Sequence, residues 1–177
     1  MRKYLVIGNP IEHSLSPLIH NHWIKKYNLK DSVYEKRMVE EKDLKNVIEE
    51  IRKDEVVGVN VTVPFKKLII PFLDKLDFVA EETQSVNTLF KINNKVVGYN
   101  TDSAGFQDSI RKFYPHSNDS MMSLTLKDKN IFILGAGGVT SSIISALKND
   151  GANNIILSNR TKEKANELQK LFPEIKV

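Results

Sequence analysis

Cysteine, long apolar runs and blocks of like charge are all missing from this chain of 177 residues. Without cysteine there is no disulfide and no thiolate zinc site, and the four histidines do not show metal-ligand spacing. The apolar run near the start, "YLVI", ends at Gly8 and is too short for a secretory signal or a membrane span. We therefore expect a cytoplasmic, metal-free protein that does not enter membranes.

The charged residues are scattered along the chain. Lysine and arginine total 26 against 22 acidic residues, which gives a net charge of +4. A nucleic-acid surface normally gathers its basic residues into a patch or stripe, and no such cluster is found in the sequence. The charge pattern therefore predicts small anionic ligands rather than nucleic acid.

Hydrophobic periodicity indicates an α/β fold, because short β-branched runs alternate with amphipathic helical stretches. Asn93 and Asn94 separate two short strands, and asparagine tolerates the positive φ that a tight hairpin needs. We expect this hairpin to add antiparallel strands to a mixed sheet. The predicted strands cover residues 3–8, 33–38, 57–62, 87–92 and 95–99, and the predicted helices cover 17–27, 41–53, 77–84 and 102–113.

A loss of periodicity at residues 114–128 marks a predicted linker, which is rich in Pro, Ser and Asn. It separates a first domain, residues 1–113, from residues 129–177. The second segment is predicted to form a strand, a glycine-rich turn, a helix, a strand and a helix, which is how a doubly wound Rossmann domain begins. A complete domain of this kind has about six strands. We therefore expect residues 129–177 to form a partial dinucleotide-binding domain and the sequence to be a fragment.

The glycine-rich turn reads "GAGG" and covers Gly135, Ala136, Gly137 and Gly138. Glycines at these positions let the backbone approach a pyrophosphate, whose charge is favoured by the amino end of the following helix. The third glycine of the dinucleotide pattern would fall on Thr140, so the pattern is incomplete. The turn is a candidate phosphate site, with a plain strand-to-helix connection as the alternative.

The segment "SNRTKEK" follows the second strand of this domain, where an NAD-dependent enzyme would carry an acidic residue for the ribose hydroxyls. Arg160 and Lys164 bring positive charge to that position, and Asn159 and Thr161 can add hydrogen bonds. These four residues predict binding of the NADP 2′-phosphate. In the alternative, Thr161 caps the next helix and the cations are solvated.

Polar residues also follow the predicted strands of the first domain, where open α/β sheets bind ligands. Ser16 precedes Pro17 and fits a helix N-cap, which leaves Ser14 without a structural explanation. Asp102 could likewise cap a helix, and a lone surface lysine is usually solvated. Taken together, the residues suggest a site for a small polyhydroxylated carboxylic acid. They are Ser14, Ser16, Asn60, Thr62, Lys66, Asn100, Thr101 and Asp102.

Five ordered motifs resemble those of the shikimate dehydrogenases, namely "GNPIEHSLSP", "GVNVTVPFK", "SVNT", "GYNTD" and "LGAGG" followed by "NRT". The resemblance implies that Ser14 and Ser16 bind the substrate carboxylate, that Thr62, Lys66, Asn87 and Asp102 contact the ring hydroxyls, and that Asn60 supports the strand end. It also implies that Lys66 and Asp102 are the catalytic pair. "GAGG" would then hold the NADP pyrophosphate, and "NRT" with Lys164 the 2′-phosphate.

The implied reaction interconverts 3-dehydroshikimate and shikimate by hydride transfer with NADP. Ser103 and Ser85 stand where family members commonly have glycine and alanine, which are small changes. The family continues with the rest of the dinucleotide domain, a substrate-binding glutamine and a returning helix. We therefore expect the 177-residue chain alone to lack turnover and to be less soluble than a longer protein.

Two other functions remain open at this point. A quinate/shikimate dehydrogenase would use NAD and accept an extra ring hydroxyl, and Arg160 argues against it. A non-catalytic ligand-binding remnant would not need a proton-transfer pair, so the presence of Lys66 and Asp102 argues against it. A homodimer is compatible with either enzyme.

Overall fold

The computed structural model describes residues 1–113 and 126–177. By their internal contacts, residues 1–80 and 86–99 form one unit, and residues 81–85, 100–113 and 126–177 form a second. Helix 102–113 therefore belongs with the second unit, whereas the sequence predicted a boundary after residue 113. Most of the predicted linker, residues 114–125, lies outside the described residues, so this boundary stays a prediction.

The first unit is a mixed sheet with helices. Its strands are β1 (Arg2–Gly8), β2 (Ser32–Met38), β3 (Gly58–Val61), β4 (Lys75–Leu76), β5 (Thr88–Ile92) and β6 (Lys95–Tyr99). Its helices are α1 (Ser16–Lys26), α2 (Leu44–Arg52, after a 3-10 turn at Glu41–Asp43) and the short α3 (Phe65–Leu68), which is followed by a 3-10 turn at Ile70–Phe72. Helix α4 (Phe78–Thr83) runs from the first unit into the second.

The sheet has the strand order β2-β1-β3-β5-β6-β4. Strand β1 pairs in parallel with β2 and β3, whereas β5 pairs antiparallel with both β3 and β6. Asn93 and Asn94 have φ values of 49° and 61°, as the predicted hairpin requires. The mixed α/β sheet predicted from the sequence is confirmed.

The core of the first unit lies between the sheet and α2. Leu44, Val47, Ile48 and Ile51 recur at helical spacing and are all buried. They pack with sheet residues such as Leu5 into one continuous cluster. Helix α1 packs against β2, where a smaller cluster contains Val6, Ile11 and Tyr34.

The second unit contains α5 (Asp102–Phe113), β7 (Asn130–Leu134), α6 (Thr140–Asn149), β8 (Asn154–Ser158) and α7 (Lys162–Leu171). Strands β7 and β8 are parallel, and Lys176 forms an isolated bridge with Ile156. This order is the predicted opening of a Rossmann domain. Phe132 and Leu134 of β7 are 61% and 78% exposed.

None of the helices described at 1–113 and 126–177 combines the length and the apolar character needed to cross a bilayer.

Candidate active site

The carboxyl ends of β1 and β3 meet at one edge of the first unit's sheet. The backbone N–H of Asn9, after β1, donates to the carbonyl oxygen of Val63, after β3, at 3.1 Å. Asn87 precedes β5, which is antiparallel to β3, and its carbonyl oxygen accepts from the N–H of Val61 at 2.9 Å. Residues from three separate sequence motifs therefore lie along the same edge of the sheet.

The two serines at the start of α1 have different structural roles from those expected. Ser16 is the first residue of α1 and Leu15 occupies the cap position, so the predicted N-cap role of Ser16 is wrong. Instead, the hydroxyl of Ser14 accepts a hydrogen bond from the N–H of Ser16 at 3.3 Å. The helix begins at Ser16, one residue earlier than predicted, so the N–H of Ser16 has no acceptor within the helix. The hydroxyl of Ser14 provides that acceptor.

Tyr34 is a residue at this edge that the sequence analysis missed. Its hydroxyl donates to Oδ1 of Asn60 at 2.6 Å and also hydrogen-bonds to the side chain of Ser16. Burial is the main influence on this phenol and raises its pKa to about 12, although the Ser16 bond acts in the opposite direction. The neutral phenol therefore connects two predicted site residues that lie on different elements.

The amide nitrogen of Asn60 extends this network to the next strand. Nδ2 donates to the carbonyl oxygen of Asn87 at 3.2 Å and to Oγ1 of Thr88 at 3.1 Å. Oγ1 of Thr88 in turn donates to Oδ1 of Asn87 at 3.0 Å. Both ends of the Asn60 amide are thus engaged by the protein, which makes Asn60 a support for its neighbours.

Thr62 and Lys66 follow β3 in a tightly packed segment. A side chain on Gly8 would come within 2.6 Å of Cγ2 of Thr62, so only glycine lets the two strand ends approach so closely. Lys66 lies half-buried in α3, and its carbonyl oxygen accepts from the N–H of Val86 at 2.9 Å. The backbone of Lys66 is therefore tied to the segment that carries Asn87.

In the second unit, the glycine-rich turn joins β7 to α6. Gly135 has a φ of +110°, a conformation that favours glycine, and open space lies where a side chain on Gly137 would project. The hydroxyl of Thr140 accepts from the N–H of Gly137 at 2.9 Å and donates to the carbonyl oxygen of Gly135 at 3.1 Å. Thr140, which replaces the third glycine of the pattern, therefore braces the turn from inside.

Asn159 connects this turn to the loop after β8. Its Oδ1 accepts from the N–H of Ala136 at 3.0 Å, and its Nδ2 donates to the carbonyl oxygen of Thr161 at 2.7 Å. These bonds place "GAGG" beside "NRT", as a site that binds both the pyrophosphate and the 2′-phosphate would require. The side chain of Asn159 is itself used to hold the two loops.

Arg160, Thr161 and Lys164 are all exposed on this loop and at the start of α7. Thr161 occupies the N-cap position, but its side chain makes no capping hydrogen bond there. Within residues 1–113 and 126–177, no acidic group lies at ion-pair distance from Arg160 or Lys164. Two cations and a hydroxyl are thus presented to solvent beside the turn, a suitable set of donors for a phosphate.

Asp102 is the first residue of α5, in the second unit. The capping oxygen comes from Asn100, whose Oδ1 accepts from the N–H of Asp102 at 3.0 Å and from the N–H of Ser103 at 3.2 Å. The alternative in which Asp102 serves as the cap is therefore unnecessary, because Asn100 satisfies these amides. From the sequence, Asn100 is recognisable only as one of the polar residues after the hairpin.

In the part of the chain that the structure describes, no group of three or more histidine or acidic residues is arranged to hold a metal ion.

Comparison with known proteins identifies two matching family models. Residues 6–89 match the shikimate dehydrogenase substrate-binding domain, and residues 118–177 match the shikimate / quinate 5-dehydrogenase domain. The NADP(+) shikimate dehydrogenase of Pelagibacter ubique is 51% identical over 176 residues, which cover 99% of this chain and 63% of that protein.

Solved structures give the same result. The shikimate dehydrogenase structure of Aquifex aeolicus aligns with 100% of this chain, and the alignment covers 62% of the Aquifex chain, with 41% identity and a TM-score of 0.86. The Thermus thermophilus enzyme, solved with NADP(H) and shikimate, aligns with 100% of this chain, and the alignment covers 63% of the Thermus chain, with 28% identity and a TM-score of 0.83. The chain spans about three fifths of the length of these relatives, and it belongs to the shikimate dehydrogenase family.

Proposed function

We propose that the protein catalyses the reversible NADPH-dependent reduction of 3-dehydroshikimate to shikimate. The observation that carries the proposal is the shared sheet edge of the first unit, where the hydrogen-bonded network of Ser16, Tyr34, Asn60 and Asn87 lies beside the strand that leads to Lys66. Such an edge, at the carboxyl ends of parallel strands, is where open α/β sheets bind ligands.

The hydroxyls and amides at this edge suit a small ring acid with several hydroxyl groups. Ser14 and Ser16, before and at the start of α1, would bind the carboxylate. Thr62 and Asn87 would hydrogen-bond to the ring hydroxyls. Asn60 would act by holding Asn87 in place, because its own amide is already engaged on both sides.

The chemical step adds a hydride to the ring carbonyl carbon and a proton to the carbonyl oxygen. NADPH, when bound, would supply the hydride. As the carbon–oxygen double bond is reduced, negative charge develops on the oxygen, and the ammonium group of Lys66 would stabilise that charge and donate the proton. Asp102 would hydrogen-bond to the same hydroxyl, so we assign Lys66 and Asp102 as the catalytic pair.

The second unit supplies the groups that would hold the cofactor. The turn at Gly135, Ala136, Gly137 and Gly138 would bind the pyrophosphate, since its backbone is open and precedes the amino end of α6. Arg160, Thr161 and Lys164 would bind the 2′-phosphate. Asn159 would fix the spacing of the two loops through its two backbone hydrogen bonds.

The cofactor assignment predicts that Arg160→Glu selectively impairs the use of NADP. A charge-assisted hydrogen bond contributes about 1.5 to 3 kcal/mol and the substituted carboxylate repels phosphate, so the KM for NADP should rise about 10- to 100-fold or more. The KM for NAD should change less than about threefold. Steady-state kinetics of shikimate oxidation by the intact protein would measure both values.

Lys170→Glu is the matched control, since it makes the same charge change at an exposed position at the far end of α7. It should leave the preference for NADP unchanged. Equal use of NAD and NADP by the unaltered protein, or equal rates with quinate and shikimate, would favour the quinate/shikimate dehydrogenase. Binding of shikimate without any turnover would favour the ligand-binding alternative.

We further propose that the protein acts in the cytoplasm on small molecules, without nucleic acid, and that it forms a homodimer. The scattered positive charge supports the absence of a nucleic-acid surface. Light scattering of the intact protein would test the homodimer.

A further inference from the structure

We propose that Asn100 is a positioning residue that fixes Asp102 relative to the glycine-rich turn. The proposal rests on the function given above, in which Asp102 contacts the substrate. Asn100 is only 5% exposed, although its side chain is polar, so its hydrogen bonds have to be made within the protein.

The acceptor end of the Asn100 amide holds the start of α5. Oδ1 accepts from the N–H groups of Asp102 and Ser103, the first two residues of the helix. These amides have no partner within the helix, so a partly buried helix start needs an acceptor of this kind. Because one oxygen binds the N–H of Asp102 itself, the backbone position of that residue depends directly on Asn100.

The donor end of the same amide reaches two other elements. Nδ2 lies 3.0 Å from Oγ1 of Thr83 and 2.8 Å from the carbonyl oxygen of Ser85, both at the end of α4 or just after it. It also lies 2.8 Å from Oγ of Ser142, which is buried in α6. Two hydrogens therefore serve three acceptors, and this leaves little freedom for the amide to move.

These bonds connect Asp102 to the proposed cofactor site within one unit. Ser142 belongs to the first turn of α6, directly after the glycine-rich turn. A second hydrogen bond acts in parallel, since Oγ of Ser85 lies 3.4 Å from the carbonyl oxygen of Gly138. The backbone of the proposed catalytic residue Asp102 and the start of α6, directly after the proposed pyrophosphate turn, are thus both hydrogen-bonded to the amide of Asn100.

A side chain that only stabilised the fold would be replaceable without a specific effect on the reaction. A positioning residue differs, because misplacing a reacting group by about 1 Å can cost on the order of 10²-fold in rate. The effect of losing Asn100 should therefore depend on whether Asp102 is present. A double-mutant cycle measures that dependence.

The experiment compares Asn100→Ala in the intact protein with and without Asp102→Ala. The value of kcat for shikimate oxidation is normalised to the concentration of NADP-binding sites. We expect Asn100→Ala to lower it at least about tenfold when Asp102 is present. In the Asp102→Ala background the same change should lower kcat less than about twofold. Equal factors in both backgrounds would show a purely structural role and overturn the proposal.

Asn153→Ala is the matched control, because Asn153 is exposed in the same unit, and it should leave kcat unchanged. Asn100→Ser, which keeps a hydroxyl at the position, is the milder variant if the alanine protein does not fold, and the same dependence on Asp102 is expected.

Hydrogen exchange gives a readout that does not require activity. The amides of Asp102 and Ser103 should exchange at least about tenfold faster in Asn100→Ala or Asn100→Ser than in Asn153→Ala. Unchanged exchange would overturn the positioning role whatever the kinetics. Absence of shikimate oxidation by the unaltered protein would instead overturn the proposed function, and exchange would still decide whether Asn100 holds Asp102.

Discussion

At the scale of single residues, the site depends on side chains that bind other side chains. Tyr34 and Asn60 are 26 positions apart in sequence, yet one hydrogen bond of 2.6 Å joins them and connects the start of α1 to the end of β3. Neither residue has to touch the substrate for this to affect binding, because each holds a proposed contact residue in place.

Tyr34→Phe should remove a pH-dependent contribution to stability. The pKa of Tyr34 is raised from 10.0 to about 12 in the folded protein, so the folded state keeps the proton after the unfolded state has lost it. The resulting stability is fully present below pH 10 and is lost as the pH rises toward 12. Between these values the free energy of unfolding should fall about 1 to 3 kcal/mol more in the unaltered protein than in Tyr34→Phe.

Urea unfolding at pH 10 and at pH 12 would measure this difference, over the range that the two pKa values define. Tyr27→Phe is the control, because Tyr27 is exposed, and its pH dependence should match that of the unaltered protein. If the free energy of unfolding fell equally with pH in Tyr34→Phe and in the unaltered protein, the buried phenol would not be the cause of the fall.

Local residue patterns explain which single residues could be predicted. The glycine-rich turn and the Asn93–Asn94 hairpin were predicted because glycine and asparagine tolerate positive φ wherever they occur. The role of Ser16 was predicted wrongly because Ser14, two residues earlier, provides the oxygen at the helix start. Tyr34 was missed because its partner is distant in sequence and only the fold brings the two together.

At the scale of elements, α5 and α6 are joined through a carboxylate at the end of α6. Oδ1 of Asp150 accepts from Nε2 of Gln107 at 2.7 Å and from Nη2 of Arg111 at 2.8 Å. Asp150 is 2% exposed, and a negative charge at a helix carboxyl end is unfavourable unless it is compensated. The donors on α5 supply that compensation, and so they fix the helix that begins with Asp102.

Arg111→Ala should therefore destabilise the protein, because it leaves a buried carboxylate with fewer donors. Gln107 remains and Arg111 is 41% exposed, so we expect a loss of about 1 to 3 kcal/mol rather than the larger cost of breaking a fully buried pair. Urea unfolding would measure this loss of stability.

Lys42→Ala is the control, because it removes an exposed ion pair with Glu40 and should leave the unfolding midpoint unchanged. Equal midpoints for the two variants would contradict this role of Arg111.

Elements with a strong periodic pattern were predictable, and short elements were not. Helix α2 shows its buried face at helical spacing, and β1 and β3 appear as β-branched runs. The four-residue α3 and the two-residue β4 are too short to show a period, and their conformations depend on the surrounding contacts.

At the scale of the whole molecule, the proposed catalytic residues come from both units, with Lys66 in the first and Asp102 in the second. The sequence motifs predicted this set because each motif is local. The supporting contacts of Tyr34 in the first unit, and those of Thr140 and Asn100 in the second, became visible only in the structure, since each depends on contacts between elements of its own unit. Turnover by the intact protein therefore tests the assignment of both units.

The most direct measurement of the central claim is kcat and KM for NADP-dependent oxidation of shikimate by the intact protein and by Lys66→Ala. Lys67→Ala, an exposed neighbour in the same short helix, is the control and should behave like the unaltered protein. We predict that Lys66→Ala lowers kcat about 10²- to 10⁴-fold while the KM for shikimate stays within about threefold, because proton donation acts in the transition state. A kcat within a few-fold of the unaltered protein, with a raised KM, would contradict the account and make Lys66 a binding residue.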